Sequence, residues 1–258
     1  ATATGYFDVI NDPDRDLKIV NRNMNRNGIL MIDVPNYELE VPSSDKKLKF
    51  RPFLVKEEKV LLMALESQDQ KEMLRAMKEI IATCTYEKFD VENSPLFDLE
   101  YIFLQIRSKS VGETSTIRIK CKDGKNYAQV EVPLEDVNVQ VDEEHTNKIE
   151  INKDISVIMD YPKVDIQDSV VEGSEVVSFF NVIKQCIYQV IDGETVHEKT
   201  DMDDKDLDEF LGGLTNKHLV AFRSFFETMP KLKYEVKYKH PKTDKFETKV
   251  LEGMQSFF

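Results

Sequence analysis

Residues 94–132 read SPLFDLEYIFLQIRSKSVGETSTIRIKCKDGKNYAQVEV, and their apolar period changes partway along. Ser94 supplies a cap residue and Pro95 suits the first position of a helix. Leu99, Ile102, Phe103 and Ile106 then recur at helical spacing, and Gly112 ends the run after a basic last turn. Ile117, Ile119 and Cys121 alternate with Thr116, Arg118, Lys120 and Lys122, which is the period of a strand. Asp123-Gly124 predicts a two-residue turn, because both residue types tolerate positive φ, and Ala128, Val130 and Val132 return on the same face. A helix running directly into an antiparallel hairpin predicts an α+β fold with helices grouped between hairpins.

The same alternation of patterns extends in both directions. Upstream, Tyr37, Leu39 and Val41, a turn at Pro42-Ser43-Ser44-Asp45, then Leu48 and Phe50 predict a short hairpin. Lys56 to Glu66 follows as a helix, and Asp69 with Glu72 offers a capping box for a second one carrying Met73, Leu74, Met77, Ile80 and Ile81. Downstream, only Val137, Val139 and Val141 keep a period within the charged stretch Glu135 to Glu144. Ser174 caps a predicted helix carrying Val176, Val177, Phe180, Val182, Ile183, Ile187 and Val190. A short acidic helix, about Asp203 to Leu211, stops at Gly212-Gly213, and Thr215 opens a helix that ends at Pro230. Leu232, Tyr234, Val236 and Tyr238 alternate strictly, and Phe246, Thr248 and Val250 are expected to pair with that face. The division expected is an arm at 1–35, an α+β subdomain at 36–145 and another at 146–258. The arm contains the polar tract Asn21 to Gly28, which lacks any period and cannot offset its own ordering entropy.

Composition limits the functional classes. With 258 residues and 41% hydrophobic side chains the chain can bury a substantial core. No apolar run reaches the ~18 residues needed to span a membrane, so no membrane partner is expected. The polar start Ala1-Thr2-Ala3-Thr4 does not resemble a secretory leader. Cys84, Cys121 and Cys186 are too widely spaced for a zinc knuckle or a disulfide framework and read as plain thiols. A net charge of −13 makes bare nucleic acid a poor partner, since phosphate binding needs a cationic surface.

Catalytic patterns are sparse. Nine glycines form neither a dinucleotide nor a phosphate-loop motif. His145, His197, His218 and His240 stand apart, without helical metal spacing. Asp201 to Asp206 invites a calcium reading but has Asp206 where the loop needs glycine and Gly212 where it needs glutamate. Asp98 and Glu100 are two apart on a helix and face different ways. Arg107, Lys109, Arg118, Lys120, Lys122 and Lys125 form a modest basic cluster without interleaved aromatics, read as a solvated face or else a contact for an acidic partner or RNA. No cofactor and no metal are expected, and the chain is not expected to be an enzyme.

Several blocks carry a resemblance. They are Phe50 to Lys59, Leu61 to Ser67, Phe97 to Glu113, Phe225 to Leu232 and Leu251 to Phe258, lying in order along the chain. Together they resemble the baseplate hub family of T4-type phages. That resemblance implies a structural or assembly subunit of a contractile-tail baseplate hub, working by protein–protein contacts in the virion or in the host cytoplasm during tail assembly. It implies other tail and baseplate proteins as partners, with self-association as a further expectation. Arg51, Phe53, Lys109, Gly112, Phe257 and Phe258 are the candidate partner-contact residues, because aromatics at an exposed terminus mark contacts. The rival readings are an assembly chaperone absent from the finished virion, a hub-associated cell-wall hydrolase with paired carboxylates, and an acidic mimic of nucleic acid. The arm lies outside the resemblance.

Overall fold

The computed structural model describes residues 33–169, 171 and 173–257; residues 1–32 of the expected arm, and Phe258, lie outside them. The segment that decides the fold behaves as its periods predict. Helix α3 spans Leu96–Ser110 in the numbering used below, which counts helices in chain order. Its cap is Pro95, one residue later than expected. The first helical N–H, on Leu96, is satisfied from outside by the carbonyl of Pro162 at 2.8 Å. Leu99, Ile102, Phe103 and Ile106 face one core and Leu104 faces another, so α3 is apolar on more than one side and lies buried between them.

The first core packs α3 against the hairpin β1 (Tyr37–Glu40) and β2 (Lys47–Phe50) and helices α1 (Val55–Ser67) and α2 (Gln70–Cys84). Asp69 caps α2 by accepting from the N–H of Lys71 at 2.8 Å. Glu72, expected to complete a box there, sits 4.0 Å from Arg75.

The second core lies under two hairpins. Strands β3 (Thr114–Lys120) and β4 (Tyr127–Pro133) pair with Ile117 opposite Val130. The connection is longer than the two-residue turn expected: Cys121 N–H bonds the Asn126 carbonyl, and Gly124 N–H bonds that of Cys121. Only Gly124 of the Asp-Gly pair takes positive φ, at 70°, while the Asp123 carboxylate accepts from the N–H groups of Lys125 and Asn126. The second sheet runs β11 (Phe246–Glu252), β10 (Lys231–Lys239), β5 (Asn138–Gln140). Its register corrects one expectation. Val236 and Tyr238 of the buried face stand opposite Lys249 and Glu247, so Phe246, Thr248 and Val250 fall on the other face. The turn sets this by bonding His240 N–H to the Lys245 carbonyl, and a one-residue slip exchanges every side chain between faces.

The third core draws only on residues between Ile149 and Phe226. It contains the antiparallel sheet β6 (Lys148–Glu150), β7 (Ile155–Met159), β8 (Ile187–Asp192) and β9 (Thr195–Glu198), covered by α4 (Glu175–Cys186), α5 (Asp204–Gly212) and α6 (Asn216–Thr228). The helix expected to continue to Val190 stops at Cys186, and Ile187 and Val190 belong to β8. The final hairpin, expected in the same half as this core, instead joins β5 and closes the second core. Leu232, Val236 and Leu251 bury themselves against residues from Leu104 to Val137.

Candidate interaction surface

The residues singled out for partner contact mostly tie the fold together. Arg51 bonds Glu57 at 3.0 Å and the Pro52 carbonyl at 2.9 Å, and its N–H bonds the Cys84 carbonyl at 3.0 Å. Burial opposes the ionisation of Glu57. The Arg51 hydrogen bond and the N–H of Leu54 outweigh it, with the Arg51 charge, and hold the carboxyl below its ordinary range. Phe53 is buried in the first core, and its N–H donates to Ser110 Oγ at 2.9 Å. Phe257 is 0% exposed in the second core, and its carbonyl accepts from Ser115 Oγ at 2.9 Å. Neither ring therefore belongs to the exposed aromatic surface expected, because each fills a core space next to α3 or the β3–β4 hairpin. Lys109 bonds Glu113 at 2.7 Å, and Gly112 lies exposed after Val111 caps the helix.

Several of the groups able to do chemistry are engaged in structural contacts. Asp98 is fully buried and accepts from both the N–H and the hydroxyl of Ser43, pinning the first hairpin's turn to α3. Glu100 accepts from Met254 N–H at 3.4 Å. These two acids therefore serve separate contacts. His145 lies between Thr228 Oγ1 at 2.9 Å and the Tyr161 hydroxyl at 3.1 Å, and burial lowers its pKa. His218 accepts the Thr215 N–H at the start of α6. Burial pushes the Cys84 thiol up to about 11 and that of Cys186 to about 12, far from thiolate chemistry. The acidic run invoked for calcium caps α5: Asp203 accepts from Asp206 N–H, and Asp206 accepts from Asp203 N–H. Among the described residues no group of three or more metal-binding side chains is assembled.

What the outside offers is contact area. Val55 and Leu62, seven residues apart on α1, are 80% and 52% exposed, and Met63 beside them is 60% exposed. An apolar groove of about 950 Å³ opens between α4 and α6, with Phe179, Val182 and Phe226 in its lining. Sequence periodicity gives no warning of it. A helix stripe announces that it is apolar, but only packing shows which part stays uncovered. The basic cluster is divided too. Lys109 is paired with Glu113 at the end of α3, whereas Arg118 to Lys125 lie towards the far end of the hairpin, where they meet β10 and β11.

Comparison with known proteins adds a family. The profile of a family described as T4 bacteriophage base plate protein matches residues 34–258. No curated protein and no solved structure gives a significant match.

Proposed function

This chain belongs to the T4 bacteriophage base plate protein family, and from that membership we propose that it is a non-catalytic subunit of the baseplate hub, acting through protein–protein contacts during or after tail assembly. In this reading its partners are other tail and baseplate proteins, met in the virion or while the tail assembles. The observation that carries the reading is the extent of the match, from the first strand through all three cores to the last residue. The structural contacts of Glu57, Asp98, Glu100, His145 and His218, and the burial of Cys84 and Cys186, support a structural role over chemistry. The exposed apolar face of α1 supplies area of the kind interfaces bury.

Two versions of this role differ in where the protein ends up. Quantitative mass spectrometry of purified virions separates them. A hub subunit is present in fixed ratio to the other baseplate proteins, whereas an assembly chaperone is required for tails yet absent from them. Detection only as a trace contaminant, together with normal tails in its absence, contradicts both.

A further inference from the structure

The tips of two hairpins far apart in sequence are braced against each other at one end of the second core. His240 is 3% exposed, and its Nδ1 accepts the N–H groups of Lys242 and Thr243 at 3.2 Å each. That places the ring proton on Nε2, which donates to Asp123 Oδ2 at 3.1 Å. Glu247 accepts from the Tyr238 hydroxyl at 2.7 Å and from Lys122 N–H at 3.1 Å. The carboxylates here are thus engaged internally, and Asp244 is paired with Lys239 at 2.9 Å.

The cations outnumber these carboxylates and, Lys239 with its Asp244 pairing included, stay exposed. Arg118, Lys120, Lys122 and Lys125 stand exposed on the first hairpin. Lys237, Lys239, Lys242 and Lys245 stand exposed on the second. Residues 118–127 and 237–245 hold eight cations and two carboxylates, in a chain whose net charge is −13. Two aromatic rings share this end. Tyr127 is 46% exposed with the Arg118 guanidinium 4.3 Å from its centroid, and Phe246 is 68% exposed with the Lys237 ammonium 5.1 Å from its centroid.

Exposed aromatic area beside arginine and lysine is what contact surfaces use, and a rigid, positively charged pole selects a negative partner. Single-stranded nucleic acid needs open ring faces for its bases to stack on. Here the Tyr127 and Phe246 faces carry the protein's own cations, Arg118 and Lys237. The geometry points to a docking face, built from the tips at residues 118–127 and 237–246, for an acidic surface of another baseplate protein. This rests on the baseplate reading and adds to it the place and the charge of one contact.

The test compares the full chain with a Lys120→Glu, Lys122→Glu, Lys239→Glu, Lys242→Glu variant whose thermal midpoint confirms that it folds. The probes are fluorescein-labelled poly-L-glutamate and a labelled single-stranded oligonucleotide of equal charge, followed by anisotropy over a range of salt. Poly-L-glutamate binds the natural chain, weakens as salt rises, and binds the variant about tenfold or more less tightly. Absence of binding, equal binding by the variant, or tighter binding of the oligonucleotide overturns the docking face. In phage, the variant gene fails to restore tails to a phage lacking the natural one. If it restores them fully, the docking face is wrong while the baseplate role stands. Normal tails with no gene at all refute the baseplate role itself.

Discussion

Arg51 and Glu57 meet where β2 hands over to α1, with side chains 12% and 8% exposed. Removing the guanidinium leaves the buried carboxylate only the Leu54 N–H and the exposed Lys56 ammonium at 3.4 Å, a loss of about 3 kcal/mol. Arg51→Ala therefore lowers the thermal midpoint by about 8 °C in calorimetry at neutral pH. Because the Glu57 pKa is depressed in the fold, its stabilisation is present above the unfolded value and is lost as pH falls through the folded one. Glu100 has the opposite sign. Burial, aided by the charge of Glu252 and opposed by the Met254 N–H, raises its pKa, so its ionisation costs stability as pH rises. Glu100→Gln keeps an acceptor for Met254 and removes that cost. The variant melts above the natural chain at pH 7.5 and level with it once Glu100 is protonated in acid; a constant difference across pH contradicts the assignment. At this scale Arg51 and Phe53 were legible as significant only through the family resemblance. The bonds and the cover that α2 and α3 give them depend on assembly, which no local pattern shows.

Elements with strong periodicity were legible, and those with weak signals were not. The α3-to-β3 switch, the Asp69 and Ser174 caps and the strict alternation of β10 all appear in the fold. The sheet of β6 to β9 was missed because its strands are short and β8 follows α4 without a loop, so Ile187 and Val190 continued the helical stripe by chance. The available signal was Asp192-Gly193, which repeats the dipeptide of the β3–β4 turn. Gly193 takes φ 58° in a two-residue connection, with Asp192 opposite Thr195. A Cβ there meets no atom, so Gly193→Ala costs only backbone strain, about 1 kcal/mol. Gly212 ends α5 without positive φ and with open space around it. Gly212→Ala therefore stabilises, by about 0.5 kcal/mol, mainly through the unfolded chain. Urea midpoints moving in opposite directions for the two variants confirm the contrast, and shifts of the same sign contradict it.

At the scale of the molecule, the described residues form three cores, and the two halves expected from chain order do not coincide with them. Residues 148–228 hold a core of their own between β5 and β10, which lie together in one sheet. A division by halves cannot show this, because nothing in the alternation of β10 and β11 says which earlier strand they join. The fold class was legible because it depends on local periods; the docking face was not, because it needs residues 118–127 and 237–246 side by side. Lys120, Lys122 and Lys125 stood out in the sequence as part of a basic cluster, Tyr127 did not, and Phe246 was expected inside until the register turned it outward. The same dependence on assembly holds one level up. The chain belongs to a phage baseplate family, and the role proposed for it is exerted through other proteins. Electron microscopy of cells infected by phage lacking this gene tests that most directly. The account predicts that sheathed tails are missing and return when the gene is supplied in trans; sheathed, infectious tails in normal numbers without it would contradict the account.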